Sequence, residues 1–303
     1  MTSAQAQLPK RNKMSGVQFK RIMMAFWFTL PAFVAFILLK YYPMVQAIYM
    51  SFFDYKVVDP PGVFVGLQNY IHAFQDPLNA KVWSNNIILF LWGLVLSFWV
   101  PLVQAILLDE IRRLKTFYRV MYLLPSVIPA VAAAVIWKWI YNPDWGLLNT
   151  IFTQIGLPAQ GWLNSPYQVK FSLMLPLILG GGLGIFIYLS ALQGIPQEWY
   201  EAADIDGASI LEKIRYITLP AIGPIIGLQF ILALTGAFQI FDQIYIMTLG
   251  GPADASRVVA LNIYYYAFER IQMGYAASLS VLLFLVTFIL VAIQLRFSRG
   301  EAH

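Results

Sequence analysis

Apolar stretches about as long as a bilayer is thick alternate along this chain with shorter polar ones. They cover about 22–39, 86–108, 117–139, 172–192, 219–249 and 275–295, and a helix needs roughly 20 residues to cross a hydrocarbon core. The pattern predicts an all-α membrane protein with six spans. Pro31, Pro101, Pro125, Pro129, Pro176 and Pro224 fall inside these stretches. In a bundle, neighbouring helices and Ser or Thr hydroxyls satisfy the carbonyls that a proline frees, so kinked helices are expected rather than lost ones. The chain then divides into a disordered basic tail over residues 1–20, a transmembrane domain over 21–297 and a short tail over 298–303.

The most polar interruption lies between the fourth and fifth spans, at about 196–220. Pro196 suits the first position of a helix, and Gln197, Glu198 and Glu201 follow in the opening turns, where negative charge favours the helix dipole. Asp206-Gly207 supplies a break. Ser209 with Glu212 three residues later forms a capping box for a second short helix, whose Ile210, Leu211, Ile214 and Ile217 are expected on one face. Pro220 ends the segment. Two short helices joined at a glycine turn make a knob that can dock in a groove; the same residues also read as a solvated connector.

Composition agrees with a lipid environment. The chain is 59% hydrophobic and 12% charged, whereas a soluble domain carries about 25% charged residues. It has no Cys, which removes disulfides, thiolate metal sites and cysteine nucleophiles. Its two His, at 72 and 303, are too few for a metal centre, so no metal is expected. The net charge of +5 reflects topology rather than a nucleic-acid partner, because the basic residues cluster in particular loops. One side of a six-span arrangement collects Lys10, Arg11, Lys13, Lys20 and Arg21, then Arg112, Arg113, Lys115 and Arg119, then Lys213 and Arg215, then Arg296 and Arg299. Basic residues on the other side are spread thinly and mixed with acids. Both termini, and the knob, are therefore expected in the cytoplasm. The first apolar run is about a full span long with no small-x-small cleavage pattern after it, so it is expected to be retained.

Glu201-Ala202-Ala203, Asp206-Gly207-Ala208 and Leu219-Pro220, at this spacing, resemble the EAA loop of permease subunits in binding-protein-dependent ABC importers. Flanking segments extend the resemblance: Tyr118-Arg119-Val120 to Leu124-Pro125, Trp137-Lys138-Trp139 with Trp145-Gly146-Leu147-Leu148-Asn149, Leu192-Gln193-Gly194-Ile195-Pro196, Phe238-Gln239-Ile240-Phe241-Asp242 with Gly250-Gly251-Pro252, and Met273-Gly274-Tyr275-Ala276. Together they are similar to the carbohydrate branch, the maltose- and glycerol-phosphate-type permeases that pair as unlike subunits, over about residues 20–297.

The resemblance implies the six-helix ABC type I importer permease fold in a bacterial or archaeal cytoplasmic (inner) membrane. It implies a second, homologous permease subunit sharing the path, an extracytoplasmic solute-binding protein, membrane lipid, and two ATPase subunits that carry ATP and Mg. No cofactor is expected on this chain. It assigns ATPase coupling to Glu201, Ala202, Ala203, Asp206, Gly207, Ala208, Leu219 and Pro220, with Glu201 pairing to a basic side chain of the ATPase, Gly207 permitting the turn, and the knob moving spans four and five. The implied solute is a sugar or oligosaccharide, with a glycerol-phosphate ester as the alternative. No Gly-x-x-x-x-Gly-Lys-Ser/Thr loop occurs, so the ATP site is not on this chain. Gly180-Gly181-Gly182 with Gly184 falls inside a span, where glycine allows close helix packing or widens a path.

Polar groups within spans are candidates for the substrate path because facing lipid is costly; these are Ser126, Gly180, Thr235, Gln239 and Asp242. The competing readings are hydroxyls of Ser126 and Thr235 bonded back to their own helix, and a structural ion pair for Asp242. Leu183 and Ala130 are apolar where a sugar-contacting subunit carries polar or aromatic groups, so part of the sugar site is expected on the partner permease. His72 is expected at the surface, Tyr264-Tyr265-Tyr266 in packing, Trp83, Trp145, Trp162, Tyr141 and Tyr167 in an interfacial belt, and the loop from about 40 to 83, with Pro60-Pro61-Gly62, against the binding protein. An ion-coupled secondary transporter needs ionisable groups in mid-membrane, and a membrane enzyme needs a catalytic set. The spans are nearly bare of both, and no catalytic residue is expected.

Overall fold

The computed structural model describes residues 16–58, 60–111, 113, 115–179 and 182–300. It forms two compact units, residues 1–49 and 50–303. The first holds α1 (Gly16–Phe36), which runs through a π-helical turn at Ile37–Tyr41 into α2 (Tyr42–Met50). Residues 16–20, expected in the tail, are already helical here, and Lys20–Met50 is long and apolar enough to cross a membrane. Residues 1–15 of that tail lie outside the described residues.

The second unit opens with a two-residue hairpin, β1 (Phe53–Asp54) antiparallel to β2 (Val63–Phe64). Helix α3 (Gln68–Gln75) leads into α4 (Pro77–Glu110), the spine of the unit. Its 34 residues make a rod of about 51 Å at 1.5 Å per residue. The second span was expected from about 86 but begins at Pro77. The reason is local: Asp76 is the N-cap, its carboxylate accepting from the Leu78 amide at 2.9 Å, and proline occupies the first turn, where no donor is missed.

After α4 the chain forms α5 (Lys115–Val127) and α6 (Ala130–Ile140). These two lie in one expected span but meet at 95°, a far sharper break than the expected kink. Ile128 precedes Pro129, and the proline ring disfavours helical geometry at the residue before it. Helix α7 (Leu147–Gln154) and a short turn at Trp162–Asn164 follow. The fourth span is α8 (Val169–Met174), α9 (Pro176–Leu179) and α10 (Gly182–Leu192). Then come α11 (Gln197–Ile205), α12 (Ile210–Lys213), α13 (Leu219–Ala221), α14 (Gly223–Phe238), α15 (Asp242–Met247), α16 (Val259–Tyr264) and α17 (Met273–Gly300). The fifth span was expected to run unbroken from about 219 to 249. It is interrupted at Ile222, before Pro224 starts a new first turn, and again at Gln239–Phe241, where Phe241 leaves helical geometry. Residues 298–300 continue α17, and 301–303 lie outside the described residues.

Among the described residues four helices are long and apolar enough to cross a membrane, and six spans result if α5–α6 and α8–α10 each count as one. Helix α4 threads both main cores. One gathers Leu89 with Ala134, Tyr141, Trp162, Leu173, Met174, Ile244 and Met247. The other gathers Leu102, Ala105 and Leu108 with Ile185, Tyr188, Leu189, Leu192 and Ile222. Ala105 is fully buried, and its small side chain lets α10 approach the spine.

Buried amides stitch the helices together. Gln104 of α4 donates to the Ile178 carbonyl at 3.1 Å, Gln229 of α14 donates to the Gly184 carbonyl at 3.1 Å, and Gln243 of α15 donates to the Leu173 carbonyl. All three support the fourth span, whose proline and breaks leave carbonyls without helical partners.

Candidate functional site

The segment between α10 and α14 is the most differentiated surface of the chain. Pro196, expected at the first helical position, stands one residue earlier as N-cap, with Glu198 in the first turn of α11. That helix ends in a complete glycine stop: Gly207 adopts φ +75°, its amide bonds the Asp204 carbonyl at 3.1 Å, and the Ala208 amide bonds the Ala203 carbonyl at 2.9 Å. This is the Schellman arrangement, in which a left-handed residue lets the last carbonyls find donors. The capping box expected at Ser209 is present in both directions, and Glu212 accepts from the Ser209 amide at 2.7 Å. Those Ser209 bonds, first through the hydroxyl and then the amide, hold the Glu212 carboxyl below its ordinary pKa.

Beyond α12 the chain makes a π-helical turn over Ile214–Thr218. The wider turn splits the four aliphatic residues expected on one face: Ile210 and Leu211 are 72% and 77% exposed, while Ile214 and Ile217 are half-buried. Ile205 is 87% exposed beside them. The result is an elbow with an apolar tip of Ile205, Ile210 and Leu211, flanked by exposed Glu201, Ala202 and Asp206. Ala203 and Ala208, half-buried, supply the backbone of the turn. At the root, the Tyr200 hydroxyl meets the buried Thr218 hydroxyl at 2.9 Å, Leu219 and Ile195 pack on the second core, and Ile222 lies within it. Pro220 is exposed, bordering a groove with Trp199 and Tyr216. Every coupling residue read from sequence therefore falls on this one elbow, whose two ends enter the core where α4, α10 and α14 meet.

The candidates for a substrate path are not gathered in one place. A cavity of about 370 Å³ lies between the bent α5–α6 pair, the fourth span and α15; Pro125, Ala130, Ala134, Trp137, Pro176, Leu177, Gln243 and Met247 line it. Ala130, noted for its lack of polarity, faces it. Ser126 and Asp242 each neighbour a lining residue without lining it themselves. Ser126 donates to the Leu123 carbonyl at 2.7 Å and Thr235 to the Ile231 carbonyl at 2.8 Å, the back-bonding expected of a helix hydroxyl. Gln239 is exposed at the α14–α15 break, and Asp242 is the exposed first residue of α15, with no ion pair among the described residues. Gly180 lies outside the described residues. Sequence reasoning missed Gln104, Gln229 and Gln243; the available signal was an amide inside an apolar run, which is costly unless bonded.

Other motif residues are structural. Buried Asn149 accepts from the Gln160 amide at 2.9 Å and the Trp162 indole at 2.8 Å, and donates to the Pro143 and Gln160 carbonyls at 2.9 Å each. A Cβ on Gly146 would sit 2.3 Å from the Asn142 carbonyl oxygen. His72, exposed as expected, lies on α3 and stacks on Tyr275 at 4.7 Å. Tyr264 packs against Phe241 and Tyr245, at 5.6 and 5.2 Å.

Comparison with known proteins places this geometry. A probable ABC transporter permease of Bacillus subtilis, YurN, is 32% identical over 275 residues, 89% of this chain and 94% of its own. The sulfoquinovosyl glycerol transport system permease SmoG of Agrobacterium fabrum is 29% identical over 89% of each chain. A chain of a bacterial ABC transporter involved in the import of the acidic polysaccharide alginate superposes with TM-score 0.84 over 94% of this chain and 98% of its own, at 23% identity, a likeness of fold. Residues 93–302, which include the whole elbow, match the model of the binding-protein-dependent transport system inner membrane component. The chain belongs to that family of membrane-embedded transport subunits.

Proposed function

We propose that this chain is half of the translocation path of an ABC importer for a sugar or oligosaccharide, driven through the elbow at 196–220 by a separate ATPase. The observation that carries the reading is the elbow itself: an exposed acidic and apolar tip on a turn closed by Gly207, with both arms rooted in the core shared by α4, α10 and α14. A push on the tip moves these helices together, which is how a docked motor biases two global states. The carbohydrate solute is supported by relatives named for sulfoquinovosyl glycerol and arabinooligosaccharides. A further alginate transporter structure of similar fold, titled as a complex with a pentasaccharide-bound periplasmic protein, supports an extracytoplasmic solute-binding protein as a partner.

In this reading a second, unlike permease completes the path and holds part of the sugar site, since the cavity here is mostly apolar. Two ATPase subunits bind ATP and Mg; both termini and the elbow face the cytoplasm of a bacterial or archaeal cell. The test is Glu201→Lys. The variant inserts and folds as the wild type does but no longer retains the ATPase on purification. Normal ATPase retention with normal transport refutes the proposal.

A further inference from the structure

We infer that Lys213 and Asp204 brace the elbow, and that Lys213 is a positioning residue which holds the elbow against the end of α4 so that movement at the tip is transmitted rather than absorbed. The inference rests on the coupling reading above and concerns two residues outside its sequence signature.

The glycine stop closes the end of α11 and the capping box opens α12, yet neither sets the angle between the two arms. Between them lie Ala208 and extended Ser209. Two contacts cross from arm to arm: the Tyr200–Thr218 hydroxyl pair at the root, and an ion pair between the Lys213 ammonium and the Asp204 carboxylate toward the tip. Nine residues separate the latter two, so their contact is made by the fold of the elbow and not by helical spacing.

The ion pair stands in a cleft of about 400 Å³ between the elbow and the C-terminal end of α4. Its lining includes three carboxylates, Asp109 and Glu110 of α4 and Asp204 of α11, and a single cation, Lys213. The Lys213 side chain is 17% exposed and that of Asp204 is 64% exposed, so the ammonium sits inside and Asp204 reaches it from the rim. An exposed ion pair contributes little to stability. Here its consequence is geometric, because Lys213 is attracted both to the other arm and to α4.

This arrangement predicts an asymmetry. Removing Asp204 leaves Lys213 facing two carboxylates of α4, and the elbow stays drawn to the spine. Removing Lys213 leaves three carboxylates around one cleft, and like charges at close range push the elbow away. A lever that pivots at its own joint no longer moves the helices beyond it.

The experiment uses the importer purified with its ATPase in lipid nanodiscs. Because the chain has no Cys, spin labels at Val127→Cys and Leu183→Cys report the movement of α5 against α10 on addition of ATP, Mg and vanadate. Asp204→Asn is expected to keep a reduced movement, Lys213→Met to lose it while the ATPase remains bound, and Lys213→Arg to restore it. In a second, unlabelled sample, Asp204→Cys with Lys213→Cys joined by a short reversible thiol crosslinker is expected to couple ATP hydrolysis to conformational change, read by protease accessibility of the cavity, and to lose it when the link is cleaved. Full movement in Lys213→Met, or no difference between the Met and Arg variants, overturns the brace. Absence of ATPase capture and of any nucleotide response in the unmodified chain overturns the coupling reading as well.

Discussion

Gly207 offers the cleanest quantitative test of how the elbow is built. It adopts φ +75°, and no heavy atom lies within 4 Å of where a Cβ would stand. Substitution there meets no clash within the chain, so its cost is the backbone alone. An L-residue in the left-handed region costs roughly 1–2 kcal/mol, and Asn tolerates it best after glycine. If the free elbow relaxes to avoid that cost, the fraction ready to dock falls by about 5–30-fold for Gly207→Ala. Gly207→Val falls further, because a β-branched side chain at positive φ is a true outlier. The assay is the affinity of the purified ATPase for the permease in nanodiscs, measured across the series Gly, Asn, Ala, Val. The expected order is Gly, then Asn close behind, then Ala, then Val. Equal weakening by Asn and Val would show that bulk at the interface matters and backbone strain does not, and wild-type affinity for Ala would remove the strain argument altogether.

Two further perturbations probe the chain elsewhere. Ser209 holds the Glu212 carboxyl below its ordinary pKa, so the capping box contributes stability at pH above the unfolded value and loses it as pH falls through the depressed folded value. Hydrogen exchange of amides 210–213, corrected for intrinsic rates, should accelerate over that window in the wild type and show no such step in Glu212→Gln; an identical profile in both would exclude the mechanism. Asn149→Ala removes four hydrogen bonds from a buried loop, which at about 1 kcal/mol each lowers stability by about 3–4 kcal/mol. Tm in detergent should drop clearly, with Asn149→Asp intermediate because it keeps the acceptors; an unchanged Tm in the Ala variant would contradict the assignment of Asn149 as a structural hub.

What the linear chain determined by itself was everything encoded within about one helical length. Six apolar runs, the acidic first turn after Pro196, the glycine at 207 and the Ser209–Glu212 pair are decided by neighbours three to six residues away, through hydrogen bonds that any isolated turn would make. The elbow was legible for that reason, together with its resemblance to a known loop. Tertiary structure alone decided the 95° turn between α5 and α6, which depends on what packs around Pro129. It decided that Gln229 reaches a carbonyl 45 residues away and Gln243 one 70 residues away. It decided that Ser126 and Thr235 turn back on their own helices while apolar Ala130 faces the cavity. A side chain's polarity states that it needs a partner, whereas the partner's identity depends on which helices the chain brings together, and that is settled only when the bundle closes.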